Sequence, residues 1–325
     1  MTGPAEPVVR AAIDCGANSV HVLVALAQDD RLRPLMDESS FLGLGVAARR
    51  GRFGDAKISE LVATVVRYAD AARRLGAGDV IVVGADPFRR ARDVASVVEE
   101  LRQAAELELA ILSVEEESLL TMLGVTEGRQ VDRSLSVCDI GGGSTEVAIL
   151  EPGRPPRAVA IHVGSASLAE RLTPGDPPTG ADLDNLRAAA AAAVRRAHLP
   201  RTKRFAAVGG TSTNLLRLLA VAAADRSLTG ERLEEILRVL AEEPAAVVAE
   251  RHGVNPIRTP LLPAGAAILE AILAQSGTDH VEVVDASARE GLLFVLGEAG
   301  DAWRRRLGEL AVGWRPPAEP GFEPV

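Results

Sequence analysis

Asp139-Ile-Gly-Gly-Gly-Ser-Thr-Glu146 is the stretch on which the reading of this chain turns. It is flanked by short apolar runs, Leu135-Ser-Val-Cys138 and Val147-Ala-Ile-Leu150, a pattern that predicts strand, tight turn, strand. Three consecutive glycines are more than a simple hairpin needs. Without Cβ atoms, Gly141, Gly142 and Gly143 let backbone N–H groups approach an anion closely, and Ser144 and Thr145 add hydroxyl donors. Asp139, ending the first strand, is placed to hold a metal ion against that anion, and Glu146 is a second carboxylate. Taken alone, the stretch also suits an ordinary glycine-rich hairpin.

The chain writes the pattern twice. Adding 125 to Asp14 gives Asp139, to Gly16 gives Gly141, and to Ser19 gives Ser144; the same offset takes Val22 to Val147 and Val24 to Ile149. Ala12-Ile-Asp-Cys-Gly-Ala-Asn-Ser-Val-His-Val-Leu-Val24 therefore reads as the same hairpin in an earlier half of the chain. Two such loops, Gly16-Ala17-Asn18-Ser19 and Gly141–Thr145, facing each other would suit a polyphosphorylated ligand held from both sides.

Paired Asp-x-Gly hairpins of this kind resemble the actin/Hsp70/sugar-kinase superfamily. The wording of 139–146 is similar in particular to the exopolyphosphatase/guanosine pentaphosphate phosphohydrolase (Ppx/GppA) family. The resemblance implies an α/β protein of two actin-like (ribonuclease H-like) domains facing a central cleft. It divides the chain into domain I over 1–124, domain II over 125–298 and a flexible tail over 312–325. A helix predicted at 299–311 is a candidate to return to domain I.

Further segments carry the same likeness. Residues 56–75 predict an amphipathic helix, with Ile58, Leu61, Val62, Val65, Val66 and Ala69 on one face, and Val80-Ile-Val-Val83 predicts a buried parallel strand. A third strand is predicted within 31–47, ending at Gly43-Leu-Gly45. Gly84-Ala-Asp-Pro-Phe-Arg-Arg-Ala-Arg-Asp93 lies where the family writes Ala-Thr-Ser-Ala-x-Arg-x-Ala-x-Asn, so Arg89 falls on a phosphate-binding arginine, while Ala85, Asp86 and Pro87 depart from the pattern. Ser113-Val-Glu-Glu-Glu117 predicts a capped helix start, where three glutamates suit the helix dipole. The family pattern makes the second glutamate of its pair, here Glu117, the catalytic base, with Glu115 and Glu116 as the alternatives if the register shifts. Gly209-Gly210-Thr211 follows a strand at 205–208 and matches a family turn that faces the phosphate chain; close helix packing is the plainer explanation of its glycines. The segment from Arg258 matches the family's Ala-Gly-Ala helix, and Asp285–Leu292 is similar to its Leu-Arg-Glu-Gly segment, in which Arg289 and Glu290 read as a structural pair.

The implied chemistry is hydrolysis of a terminal phosphoanhydride in inorganic polyphosphate or guanosine pentaphosphate. Mg²⁺ would be held by Asp139 with Asp14 or Glu146, Glu117 would deprotonate the attacking water, and Arg89 would clamp phosphate. The first loop departs from the family at Ala17, where a hydroxyl residue is the rule. That keeps open a non-catalytic sensor of polyphosphate or guanosine tetra- or pentaphosphate on the same fold. A sugar or acetate kinase would need a substrate pocket with a catalytic aspartate, which the sequence does not display.

Composition narrows the classes. With 325 residues, 47% hydrophobic and 25% charged, the chain is globular and long enough for two cores. Net charge is −9, which argues against general nucleic-acid binding and demands local cations for a polyanion. Candidates are Arg49-Arg50-Gly-Arg52, Arg89-Arg90-Ala-Arg92, Arg195-Arg196 and Arg201-Thr-Lys-Arg204. No apolar run reaches the roughly 18–20 residues of a membrane span, and the first residues lack a secretory pattern, so a cytoplasmic protein is expected. Cys15 and Cys138, one on each hairpin, read as small buried residues, and no zinc spacing exists. The family resemblance favours a homodimer, and this length predicts that the C-terminal hydrolase domain of longer members is missing.

Overall fold

The computed structural model describes residues 7–28, 31–219 and 225–316. The chain divides into two compact units, residues 1–127 with 288–310, and residues 128–287 with 311–325.

The first unit is built on a five-stranded sheet, order β3-β2-β1-β4-β5. Its strands are β1 (Val8–Cys15), β2 (Ser19–Gln28), β3 (Arg31–Phe41), β4 (Asp79–Gly84) and β5 (Leu109–Ile111). The β1–β2–β3 meander is antiparallel, whereas β4 and β5 run parallel to β1. Helices α1 (Leu44–Arg49), α2 (Asp55–Arg74), α3 (Asp86–Arg90), α4 (Val94–Ala105) and α5 (Val114–Thr126) complete the unit's N-terminal part. Helix α2 buries Ile58, Leu61, Val65, Tyr68, Ala69 and Ala72, the i, i+3, i+4, i+7 stripe that a helix lays on a core. The strand expected to end at Gly43-Leu-Gly45 stops at Phe41. Gly43 sits at φ 64°, a left-handed conformation that ends the strand, and 44–49 coil into α1 instead.

The second unit repeats the plan in a six-stranded sheet, order β10-β11-β9-β6-β7-β8. The strands are β6 (Leu135–Ile140), β7 (Thr145–Leu150), β8 (Arg157–Ile161), β9 (Arg204–Val208), β10 (Ser227–Thr229) and β11 (His280–Val283). The offset of 125 is a structural fact. Asp14 pairs with His21 and Asp139 with Glu146; Cys15 pairs with Val20 and Ile140 with Thr145. Even the parallel neighbour corresponds, Asp14 beside Val83 and Asp139 beside Val208. The covering helices are α6 (Ser165–Leu172), α7 (Gly180–Ala197), α8 (Gly209–Arg217), α9 (Gly230–Glu242), α10 (Ala245–His252) and α11 (Leu262–Ser276). Helix α11 is apolar almost all round and buried from Leu262 through Leu269, as befits a helix inside a core.

The chain then returns to the first unit with α12 (Ala288–Ala299) and α13 (Trp303–Leu310). The first unit resumes at Ala288, so the second breaks off at Ser287, eleven residues before the end expected for domain II at 298. Helix α12 buries Gly291–Val295, and its seat is α5: a Cβ on Gly291 would lie 1.8 Å from the Leu120 carbonyl oxygen. The start of the expected tail is also fixed. The N–H groups of Trp314 and Arg315 donate to the Gly128 carbonyl at 2.9 and 3.0 Å, and that of Gln130 donates to the Arg315 carbonyl. Residues 317–325 lie outside the described residues.

Candidate functional site

In the first unit the β1–β2 loop is set by what its carbonyls do. The Ala17 carbonyl accepts from the Gly45 N–H at 2.7 Å, and the Asn18 carbonyl accepts from Leu42 and Gly43 at 2.9 Å. In a trans peptide the next residue's N–H points opposite to the carbonyl, so the N–H groups of Asn18 and Ser19 turn away from α1. Gly16 closes the turn by donating to the Ser19 carbonyl at 3.0 Å, and the Ser19 side chain is buried.

Asp14 ends β1 beneath this loop. Burial pushes its carboxyl up to about 6, against the pull of Arg289. Arg289 itself is half-buried and donates to Asp37 at 2.5 Å, with Glu290 also favouring its charge. The folded pKa of Asp14 lies above the unfolded 3.8, so its stabilising contribution is present below pH 4 and lost as pH rises through 6. Keeping the carboxylate ionised and buried at neutral pH costs the fold about 3 kcal/mol. Asp14→Asn is therefore expected to raise the melting temperature at pH 7.5 and to raise it only about a third as much at pH 4.5; equal effects at both pH values would contradict the buried-charge account.

The three glutamates that open α5 have different tasks. Ser113 caps the helix and Glu116 reaches back to the Ser113 N–H at 2.8 Å, a complete capping box. Glu116 is also gripped by Arg304 of α13 through two contacts, at 2.5 and 2.8 Å. Glu115 is exposed. Glu117 faces Arg89: Nη1 of Arg89 donates to its Oε2 at 3.0 Å and to the Leu112 carbonyl at 2.8 Å. Both side chains keep about a fifth of their surface open, at 21% and 22%. Arg89 and Glu117 thus form one partly open pair, while Glu116 is committed to the helix end.

In the second unit the glycine loop is built from its carbonyl side as well. The Gly141 carbonyl accepts from the Ser165 N–H at 2.9 Å and from its hydroxyl at 3.2 Å. The Gly142 carbonyl accepts from the Ser167 N–H at 2.8 Å, and that of Gly143 from the Ser167 hydroxyl at 3.2 Å. All three carbonyls are fastened to the first turn of α6. By peptide planarity, the N–H groups of Gly142, Gly143 and Ser144 turn to the opposite side, which forms a concave nest of donors. The contact is close enough to need Gly164, where a Cβ would lie 2.6 Å from the Gly141 oxygen and 2.7 Å from the Ser144 nitrogen. Gly164→Ala is expected to push the loop out of place at a cost of about 1–3 kcal/mol and to weaken anion binding at least about tenfold. Calorimetry with a phosphate-chain ligand tests this, and unchanged affinity would refute the nest.

The hydroxyls and acids expected around this loop divide into two sets. Thr145 has no exposed surface and its hydroxyl donates to the Val163 carbonyl at 2.8 Å, so it holds β7 rather than a ligand. Thr211 likewise donates to the Ile140 carbonyl at 2.7 Å from a buried position. In each case the hydroxyl expected to reach phosphate is engaged by a carbonyl of the core. The Ser144 hydroxyl donates to Glu146 at 2.5 Å, and both are buried. Asp139 is half-buried and lies against the β9–α8 junction. Gly209, at φ 81°, is required there, because a Cβ would lie 2.5 Å from the Asp139 carboxylate.

Arg258 is the residue that sequence reading misses. Its guanidinium rests over Gly210, 2.4 Å from where a Cβ would stand, and burial pulls its pKa down while Asp139 opposes that effect. Its sequence distance from either glycine turn leaves no local signal to find it by. Cys15 and Cys138 are free and buried, and burial pushes both thiols far above the usual range, with Asp14 and Asp139 adding to it. Among the described residues no three His, Cys, Asp or Glu side chains come together as a metal cage, and no helix is long and apolar enough to cross a membrane.

A sequence model of the Ppx/GppA phosphatase family matches residues 25–298. This chain belongs to that family. Exopolyphosphatase 1 of Mycobacterium tuberculosis is 28% identical over 299 residues, covering 87% of this chain and 86% of that protein. Guanosine-5'-triphosphate,3'-diphosphate pyrophosphatase of Aeromonas hydrophila is 25% identical over 296 residues, which are 88% of this chain and 59% of that longer protein. The crystal structure of the Ppx/GppA family member from Aquifex aeolicus superposes with a TM-score of 0.79 at 24% identity, covering 90% of this chain and 99% of that one. The two-sheet α/β architecture is thus the actin-like fold of Ppx/GppA proteins. Within that family, the loops at 16–19 and 141–144, Asp14, Asp139 and the Arg89–Glu117 pair are the groups this chain brings to its strand ends.

Proposed function

We propose that this protein hydrolyses the terminal phosphoanhydride of inorganic polyphosphate or guanosine pentaphosphate, with Mg²⁺ as its metal. The observation that carries the reading is the loop at 141–144. Its three carbonyls are fastened to α6, so three consecutive N–H groups turn the other way beside a carboxylate, Asp139. Such a nest binds a multiply charged phosphate without needing lysine. Family membership and the names of the relatives support the substrate class.

The sparse acid set fits Mg²⁺. This ion takes one or two protein carboxylates and completes its octahedron with water and substrate phosphate oxygens, so a full protein cage is not required. Asp139 with Glu146 in the second unit, and Asp14 in the first, are the carboxylates available to hold it. Asp14 in particular is a half-buried carboxylate whose ionised form is disfavoured, and a cation would relieve that. When bound, Mg²⁺ supplies neutralisation of charge on the transferring phosphoryl group.

The chain's own groups account for the rest. Glu117 accepts a proton from water as the water oxygen bonds to the terminal phosphorus. The bridging P–O bond then breaks, releasing orthophosphate and a substrate one phosphate shorter. Arg89, anchored on the Leu112 carbonyl, orients the Glu117 carboxylate and presents its remaining donors to phosphate. The test is phosphate release from long-chain polyphosphate and from guanosine pentaphosphate, with Mg²⁺ and then with chelator. Metal-dependent release supports the hydrolase; binding without release from either substrate would replace it with the sensor.

A further inference from the structure

Two arginine-rich segments, distant in sequence, are joined in the first unit. The Arg92 N–H donates to the Gly51 carbonyl at 3.0 Å, and the Asp93 carboxylate accepts from the N–H groups of Phe53 and Gly54 at 2.9 and 2.8 Å. Between them, the rings of Phe53 and Phe88 pack with centroids 5.3 Å apart, both buried. The loop after α1 and the segment from α3 to Asp93 therefore form one surface. It carries Arg49, Arg50, Arg52, Arg89, Arg90 and Arg92 against Asp86 and Asp93, a net of four positive charges on a chain whose total is −9. Arg50, Arg52, Arg90 and Arg92 are exposed at its rim. Asp86 is engaged by Arg90 at 2.8 Å, and the charge of Asp93 is taken by two backbone amides with Arg52 at 3.8 Å.

The surface is continuous with the β1–β2 loop. Gly45, at the start of α1, donates to Ala17, and Nη1 of Arg49 lies 3.4 Å from where a Cβ on Gly45 would stand. Ala85, just before α3, donates to the Cys15 carbonyl at 3.3 Å. Both helices thus sit at the carboxyl end of the parallel strands β1 and β4, where α/β sheets bind ligands. A cluster of guanidinium groups, each a fork of donors, suits a chain of phosphates. The two aromatics of the surface are buried, so it offers no stacking platform of the kind single-stranded nucleic acid uses.

We propose that this arginine surface holds the distal phosphates of a long inorganic polyphosphate chain, and so sets a preference for chain length from outside the reacting bond. The inference rests on the hydrolase reading for its substrate. The test is the triple variant Arg50→Ala, Arg52→Ala, Arg92→Ala, compared with the same three positions changed to Lys. The ratio of kcat/KM for long-chain polyphosphate to that for guanosine pentaphosphate is expected to fall at least about tenfold in the alanine variant, and the dependence of log KM on log salt to shrink by about two. The lysine variant is expected to keep most of the ratio. An unchanged ratio and salt slope overturn the surface, as does equal loss in both variants. Single-stranded RNA competing equally well per phosphate would also overturn it, in favour of nucleic acid. Calorimetry with long-chain polyphosphate reads the surface apart from turnover: if the wild type binds but releases no phosphate, a tenfold loss of affinity in the alanine variant sustains the surface while the hydrolase reading fails.

Discussion

Glu117→Gln should reduce turnover on either phosphate substrate by roughly 10²–10⁴-fold while leaving ligand affinity within a few-fold of wild type. Glutamine keeps the shape and one carbonyl oxygen of the side chain, so Arg89 retains an acceptor where it now donates at 3.0 Å. Arg89 is in any case held from the other side by the Leu112 carbonyl, which limits rearrangement. What glutamine lacks is a lone pair basic enough to take a proton from water. The neighbouring substitution makes the contrast. Glu116→Gln weakens the bidentate contact with Arg304 and the helix cap, so its effect should appear in melting temperature rather than in kcat. Steady-state kinetics with calorimetry on both variants checks the pair. Near-normal turnover in Glu117→Gln would remove the base from this residue.

Gly291→Ala should destabilise the first unit by about 3 kcal/mol or more, the upper end of overpacking effects. The added methyl carbon would stand 1.8 Å from the Leu120 carbonyl oxygen and 3.0 Å from the Gly124 nitrogen. These are backbone atoms of a buried helix, so no side chain can swing aside. Helix α12 must separate from α5 or the two must slide, and α5 carries Glu117 at its start. For a unit of about 150 residues the fall in melting temperature should be roughly 6–12 °C. Gly297→Ala in the same helix meets only the end of Arg10 at 3.5 Å, an ordinary contact. There the gain in helix propensity, up to about 1 kcal/mol, should leave the protein as stable or more so. Thermal unfolding of the two variants side by side separates packing from propensity; similar melting temperatures would show that α12 does not seat as described.

The residues that local pattern can place are those whose role is settled within one hairpin or one helix turn. The repeat at offset 125 is visible because alternation and glycine position are local, and the pairings Asp14–His21 and Asp139–Glu146 reproduce it in register. The Ser113 cap is visible for the same reason. Helix α12 is not, because the glycine of its Arg-Glu-Gly run is a poor helix former, and only the crossing with α5 explains why that glycine stands there. Thr145 and Thr211 read as phosphate ligands because a motif shows hydroxyls without showing which carbonyls lie beside them.

By itself, the sequence determined the α/β class, the two related hairpins, the family likeness, and the positions of Asp14, Asp139, Arg89 and the glycine loops. The class and the hairpins follow from hydrophobic period and turn chemistry, which act over a few residues; the place of Arg89 follows from the family likeness. Tertiary structure alone decided which glutamate faces Arg89, which hydroxyls are spent on the core, that Arg258 rests beside Asp139, and that α12 joins α13 in the first unit. Each of those depends on contacts between residues tens to hundreds of positions apart, where hydrogen-bond geometry and close packing, rather than local preference, choose the partner.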